Sequence, residues 1–279
     1  MWNRFGVISL LALFACFGLE LLWGRTPISS SKFSFVLLNI RLPRALLAAS
    51  TGLGLSVSGA AFQCVFRNPL VGPYLLGVAS GAAFGASLGF ALGLKHEAVV
   101  LSAFALGLSA VALAYGLSKL SRLGDRLSLI LAGVIVGSLF TALLAFVETL
   151  VNKERLAAIV FWTMGEFSLW SWRKILVSGV VSLGGLFLLW LMGFRLNLLS
   201  LSDEEARALG VKVSKERGAV IALASLVTST LVAFVGVVSW VGLVIPHFAR
   251  ALVGPEPVSY THLRAHETEA DLVCRLLLE

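Results

Sequence analysis

The densest group of chemically active side chains lies in residues 258–279. It comprises two histidines, three acidic residues and a cysteine: His262, His266, Glu267, Glu269, Asp271 and Cys274. His262 and His266 are four positions apart, so on a helix they would share one face, as paired zinc ligands often do. However, the segment has no Cys-x-x-Cys pair and no evident stable scaffold. We therefore predict no metal site in this chain.

The remainder of the chain has the composition of a membrane protein. Of its 279 residues, 58% are hydrophobic and 13% are charged, whereas about 25% are charged in an ordinary soluble domain. Blocks without Lys, Arg, Asp, Glu or His reach the roughly 20 residues needed to cross a ~30 Å hydrocarbon core. These blocks are 45–66, 68–94, 98–118, 127–147, 175–194 and 218–246. The sequence thus predicts an all-α, polytopic helical membrane protein.

The blocks and their flanks predict eight helices. They are expected at 5–23, 45–66, 74–94, 97–118, 127–151, 174–194 and 217–238, with an eighth beginning at 241–253. The first offers no convincing small-x-small cleavage site, which favours a retained helix over a signal peptide. The 22 Lys and Arg exceed the 15 Asp and Glu; basic residues flanking spans explain this excess without nucleic acid.

The third predicted helix carries five glycines spaced by four: Gly77, Gly81, Gly85, Gly89 and Gly93. This spacing predicts a groove along one side of the helix, where another helix backbone approaches closely. A glycine-lined transport path would have the same pattern, and the sequence does not separate the two.

The extended polar segment inside the chain is 195–217. Ser202 followed by Glu205 forms a capping-box pattern, and Gly210 would end the short helix that it starts. A short amphipathic helix between two spans is typical of a docking element, with an ordinary solvated loop as the alternative.

Two further stretches hold polar groups where a membrane penalises them. Residues 63–77 combine Gln63 and Asn68 with two prolines, and residues 236–250 end in Pro246, His247 and Arg250. Irregular backbone at membrane depth requires surrounding protein or a water-filled cavity. We expect a sharp, rigid turn at Asn68.

Together these motifs resemble the permease subunits of the ABC importers that take up iron–siderophore complexes, haem and vitamin B12. The matching elements lie in order over residues 5–256. They are RLPR (41–44), SGAAFQ (58–63), RNPL (67–70), LILAG (129–133), W-x-M-G (162–165), LNLLSL (196–201) and VGLVIPHxxR (241–250).

The resemblance implies roles for three sets of residues. Arg41 and Arg44 match arginines that pair with acidic residues of a substrate-binding protein, although both could simply anchor their helix. The gate and pathway candidates are Gln63, Asn68, Pro69 and Leu70. The segment that would seat in the ATPase subunit comprises Ser202, Asp203, Glu204, Glu205, Ala206, Leu209 and Gly210.

The resemblance also implies a function and partners. The chain is expected to be the permease of an ATP-driven importer of iron–siderophore complexes, working by alternating access in the bacterial inner membrane. Vitamin B12 or haem is the alternative cargo, and a secondary carrier the alternative class. The expected partners are an ATPase subunit, a periplasmic or lipid-anchored binding protein and a second permease copy. The sequence has no G-x-x-x-x-G-K-[ST] motif, so ATP and magnesium would be bound by the ATPase and this chain would be neither enzyme nor cofactor carrier.

Two features depart from the resembling family. Its members continue after Pro-His-x-x-Arg with two to three more membrane helices, whereas residues 258–279 resemble translated adapter or vector sequence. We therefore expect residues 1–257 to hold about eight of ten transmembrane helices and 258–279 to be a non-native tail. Glu148 and Glu166 are unusual acids; an outer-surface position is favoured, with an acidic rim selecting a cationic substrate as the alternative.

Overall fold

The computed structural model describes residues 15–22, 33–120, 125–167 and 171–253. These ranges contain helices and connecting segments and no β-strand, which confirms the all-α prediction. The helices are α1 (15–22), α2 (Phe33–Val36), α3 (Leu42–Phe66), α4 (Val78–Ala91), α5 (His96–Leu120), α6 (Asp125–Leu150), α7 (Lys153–Thr163), α8 (Trp172–Leu191), α9 (Gly193–Ser200), α10 (Asp203–Ala208), α11 (Val213–Val235) and α12 (Val241–Val253). A π-helical stretch, Leu37–Arg41, joins α2 to α3.

Five helical runs in the described part of the chain are long and apolar enough to cross a membrane. They are Ser34–Phe66, His96–Leu120, Arg126–Leu150, Trp172–Leu191 and Val213–Val235. The tail with the histidines and most of the first predicted helix lie outside the described residues.

α4, which corresponds to the third predicted helix, is shorter than predicted. It was expected to begin at position 74, but α4 begins at Val78 because Gly77 adopts a left-handed conformation with φ of 80°. Residues 67–77 are therefore irregular, and Val71 and Leu76 within them are buried in the protein. Surrounding protein is the condition under which non-helical backbone is tolerated at membrane depth.

Glycines let α4 and α5 approach to backbone contact. A Cβ at Gly85 would lie 2.3 Å from the Ser102 carbonyl oxygen, and one at Gly81 would lie 2.5 Å from that of Leu106. The Ser102 hydroxyl also donates to the Gly85 carbonyl at 2.8 Å. Gly89 meets α5 as well, whereas Gly77 and Gly93 flank α4 in left-handed conformations.

α3 is the central helix and packs against α8, α11 and α12. Ser182 of α8 donates its hydroxyl to the Ser50 carbonyl at 2.7 Å. A Cβ at Gly54 would lie 2.4 Å from Leu231 of α11. Phe62 of α3 is 1% exposed and lies in the main apolar cluster. Close backbone approach and hydroxyl hydrogen bonds are how membrane helices associate without a hydrophobic driving force.

The chain reverses direction between α11 and α12. The predicted helix ran to position 238, but α11 ends at Val235, where Gly236 has φ of 77°. A Cβ there would lie 2.0 Å from the Trp162 carbonyl oxygen, so only glycine allows the end of α7 to pack on this turn. The Tyr74 hydroxyl donates to the Val238 carbonyl at 2.7 Å and holds the extended backbone of the turn.

Candidate coupling and gate sites

The predicted capping box forms at α10. The Ser202 hydroxyl accepts a hydrogen bond from the Glu205 amide at 3.1 Å, and the Glu205 carboxylate accepts one from the Ser202 amide at 2.6 Å. These hydrogen bonds lower the pKa of Glu205. Gly210 follows the helix in the left-handed conformation, with φ of 80°. The box satisfies two backbone donors of a helix only six residues long.

The first residue of α10 binds three arginines. One Asp203 carboxylate oxygen accepts from Arg67 at 2.9 Å and from Arg126 at 2.5 Å, and the other accepts from Arg217 at 2.8 Å. The Asp203 side chain is 28% exposed and that of Arg217 is 3% exposed. We call these four residues the Asp203 cluster.

Each arginine comes from the end of a different helix. Arg67 caps the C-terminus of α3 in a left-handed conformation, with φ of 49°, and its Nε also donates to the Leu199 carbonyl at 3.1 Å. Arg126 lies in the first turn of α6, and Arg217 is the fifth residue of α11. Partial burial raises the pKa of Asp203, but the hydrogen bond and charge of Arg217, the charge of Arg126 and the hydrogen bond from Arg67 together hold it below its ordinary value.

The structure divides the seven predicted coupling residues into two groups. Asp203 faces the bundle, and Ala206 is completely buried in the core, so neither presents its side chain outward. Glu204 and Leu209 are exposed, and Leu209 keeps 62% of its surface accessible. The sequence pattern identified the helix but not which of its residues hold it to the bundle.

Gln63 connects α3, the predicted turn and α12. Its side-chain amide donates to the carbonyls of Pro69 at 2.9 Å and Leu243 at 3.2 Å. Its amide oxygen accepts from the Arg250 guanidinium. The SGAAFQ, RNPL and PHxxR motifs, far apart in the sequence, therefore meet at one side chain.

The turn itself is built by Asn68. Its side-chain oxygen accepts from the Leu70 amide at 2.9 Å, the local hydrogen bond by which asparagine stabilises turns. Pro69 and Leu70 are exposed, and Leu70 keeps 71% of its surface accessible. The turn held by Asn68 therefore exposes the apolar side chain of Leu70.

α3 and α12 touch through their backbones. A Cβ at Gly59 would lie 1.6 Å from the Gly242 carbonyl oxygen, and one at Gly242 would lie 2.6 Å from the Pro73 ring. The glycines of the SGAAFQ and VGLVIP motifs are thus required where the two helices cross.

An open cavity of about 530 Å³ lies beside α10, between the end of α5 and the start of α11. Four cationic side chains contribute to its lining: Lys119, Arg207, Lys212 and Lys215. With the three arginines of the Asp203 cluster, they make the α10 end of the bundle strongly basic. A concentration of Lys and Arg beside span ends is typical of the cytoplasmic side of a membrane protein.

The predicted docking arginines lie at the opposite end and differ from each other. Arg41 is 6% exposed, and its guanidinium donates to the carbonyls of Leu21 and Leu22 at 2.8 Å. Arg41 thus ties the start of its own helix to α1, which is consistent with the anchoring alternative for this residue. Arg44 is exposed.

The remaining candidate polar residues form no metal centre in the described ranges. No group of three or more His, Cys, Asp or Glu side chains there is placed to bind an ion. Glu148 and Glu166 are half-buried, and the Glu166 amide donates to the Val235 carbonyl at 2.7 Å. His247 is exposed, with its ring near that of Phe248.

The membrane-length helices, with a capped polar helix tied to the ends of three of them, define a multi-pass helical membrane protein. Residues 6–263 match the FecCD transport family, and the chain belongs to that family. It is a family of ABC permeases, as the names of its relatives state.

Two relatives and one solved structure illustrate the similarity. The molybdate import permease MolB of Haemophilus influenzae is 41% identical over 220 residues, which are 78% of this chain and 65% of that protein. An iron chelatin transport permease of Helicobacter pylori is 37% identical over 225 residues, or 80% and 68% of the two chains. This chain thus spans about two thirds of their length. Other relatives are named for haemin and cobalamin import.

The solved structure is described as a metal-chelate type ABC transporter in an inward-facing conformation. It matches with a TM-score of 0.81 at 38% identity, covering 91% of this chain and 82% of that chain. At 38% identity, this match agrees with both the helical fold and the family assignment.

Proposed function

We propose that this chain is the permease subunit of an ATP-driven importer in the bacterial cytoplasmic membrane. It would form the translocation path with a second copy, take substrate from a binding protein at its Arg44 end and bind an ATPase subunit at its α10 end. The observation that carries this proposal is α10 itself. A six-residue exposed helix, ionically tied to the ends of three spans, is suited to receiving a force from a partner.

The gate candidates lie close along the chain to the same cluster. Arg67 contacts Asp203 and directly precedes Asn68, so movement of α10 reaches the RNPL turn through one residue. The RNPL turn is also connected to α12, because Gln63 donates to the carbonyls of both Pro69 and Leu243. Alternating access then follows when ATP-driven closure of the ATPase subunits displaces α10 and the helices tied to it.

For the substrate we favour iron–siderophore complexes, with vitamin B12 and haem as alternatives within the same importer class. Molybdate is a second candidate, because the molybdate permease is 41% identical to this chain. Substrate choice in this proposal rests mainly with the binding protein, which docks at the Arg44 end.

The test is uptake by proteoliposomes that contain the permease, the ATPase and the binding protein encoded beside it. Radiolabelled ferric siderophore, molybdate, cobalamin and haem are supplied separately, with ATP or a non-hydrolysable analogue inside. We expect uptake of one cargo that requires ATP and the binding protein. Uptake driven by an ion gradient without ATP would overturn the proposal in favour of a secondary carrier.

A further inference from the structure

We infer that Asp203 is a positioning residue that transmits movement of α10 to three membrane helices at once, rather than a contact residue for the ATPase. This inference rests on the proposed function, because it assigns the internal part of the coupling pathway. It begins from the direction of the side chain. Asp203 lies on α10 but binds Arg67, Arg126 and Arg217, which all belong to the bundle.

The Asp203 carboxylate connects α10 to three helices of the bundle. One oxygen accepts from Arg67 of α3 and Arg126 of α6, and the other accepts from Arg217 of α11. Two of the helices are far from α10 in the sequence, since 136 and 77 positions separate Asp203 from Arg67 and Arg126, whereas Arg217 follows Asp203 by 14 positions. Charge-assisted hydrogen bonds are directional and short, so α10 cannot shift along the bundle without moving or breaking them.

Apolar packing of α10 is limited to one buried side chain. Ala206 is completely buried, whereas Leu209 is largely exposed. A methyl group contributes little resistance to sliding, so the Asp203 ion pairs carry most of the connection between α10 and the two helices remote in sequence, α3 and α6. The capping box stabilises α10 internally, through hydrogen bonds between Ser202 and Glu205.

The charge balance explains why the carboxylate is difficult to replace. Three guanidinium groups converge on a single negative charge, and the Arg217 side chain is 3% exposed. Removing that charge leaves three cations close together in a partly buried site, where they repel one another. The helix ends would then separate, and α10 would no longer be held to all three.

The test is the coupling ratio, the number of substrate molecules imported per ATP hydrolysed, measured in proteoliposomes with the whole transporter. For Asp203→Asn we expect the ratio to fall by about tenfold or more while the complex still assembles and hydrolyses ATP. Asp203→Glu, which retains the charge, should restore part of the ratio. A general folding defect would instead lower uptake and hydrolysis in proportion.

The matched control is Glu97→Gln. Glu97 also pairs with an arginine, Arg173 at 3.1 Å, but at the opposite end of the bundle and with both side chains more than four-fifths exposed. Its ratio should equal that of the wild type. An unchanged ratio in Asp203→Asn would overturn the inference.

If Asp203→Asn does not assemble, single arginine variants provide the same test. Arg67→Gln and Arg126→Gln each remove one of the three contacts and should lower the ratio by smaller amounts. A wild-type coupling ratio in both variants would refute the inference that Asp203 transmits movement of α10 to α3 and α6. Failure of the proposed function is distinguishable, because wild-type proteoliposomes would then show no ATP-dependent uptake at all.

Discussion

Replacing Gly59 with alanine tests whether the backbone contact between α3 and α12 holds this part of the protein together. The added Cβ would lie 1.6 Å from the Gly242 carbonyl oxygen and 2.6 Å from its carbon. Because the obstacle is backbone, no rotamer change can relieve the clash. One of the two helices must move.

The required displacement sets the size of the effect. Reaching even a tight 3.0 Å contact means moving α12 by about 1.4 Å. The Gln63–Leu243 hydrogen bond, already 3.2 Å long, would not survive such a shift. Overpacking costs about 1–3 kcal/mol and the lost hydrogen bond about 1 kcal/mol, while alanine recovers about 1 kcal/mol of helix propensity. The net loss of about 2 kcal/mol corresponds to a decrease in Tm of roughly 4–8 °C.

The measurement is the Tm of detergent-solubilised protein, followed by the loss of monodisperse material on size-exclusion chromatography. Gly52→Ala is the matched control, since Gly52 lies on the same helix and a Cβ there would meet nothing within 4 Å. Its Tm should equal or exceed that of the wild type. If Gly59→Ala melts at the same temperature as Gly52→Ala, the close crossing of α3 and α12 is wrong.

Three further results are expected. Tyr74→Phe removes the hydroxyl that donates to Val238, so the free energy of unfolding should fall by about 1 kcal/mol and the Tm with it; an unchanged Tm would contradict this. The pKa of Asp203 lies below its ordinary value of 3.8, so its stabilisation is present above that value and is lost as pH falls through the lowered pKa. The difference in Tm between wild type and Asp203→Asn should therefore persist from neutral pH to about pH 4, and its disappearance at higher pH would refute the assignment. Arg41→Gln should lower the Tm because it removes the hydrogen bonds to the Leu21 and Leu22 carbonyls of α1. Arg44→Gln should leave the Tm unchanged and weaken binding of the proposed substrate-binding protein by about tenfold; equal effects of the two variants on the Tm would count against these roles.

The features that the sequence predicted correctly depend on neighbouring residues. The capping box requires only Ser202 and Glu205, three positions apart, and it forms as expected. The contacts of Gly81, Gly85 and Gly89 follow from their spacing of four, which places them on one side of α4. Such patterns are local, so they can be recognised without knowledge of the fold.

The features that the sequence did not predict depend on contacts between distant segments. The spacing of residues around Asp203 does not show that it faces inward, because two of its arginine partners, Arg67 and Arg126, come from α3 and α6. A usable signal was present, since Arg67, Arg126 and Arg217 each directly border an uncharged block. The late start of α4 was hidden by the uninterrupted apolar run 68–94, in which Pro73 and Gly77 were the only marks of a break.

The short helices α7 and α9 were also not predicted, for a related reason. α7 begins where the Asn152 side chain accepts a hydrogen bond from the Arg155 amide, in the interval between the predicted helices 127–151 and 174–194. α9 follows α8 after a single residue, and all but its first two residues fall in the segment 195–217, for which the sequence predicted a helix only around Ser202–Gly210. Boundaries inside continuous apolar sequence are decided by packing, which composition alone does not reveal.

The dependence of α10 on the rest of the bundle limits how it can be studied or inhibited. Six residues with one capping box are far below the length at which an isolated helix is stable in water. A synthetic peptide covering 195–217 would lack Arg67 entirely and would lose the fixed orientation that Asp203 imposes. Such a peptide should be a poor competitor for the proposed ATPase contact and a poor immunogen for the native surface. A useful mimic would have to supply a scaffold that presents three guanidinium groups to one carboxylate.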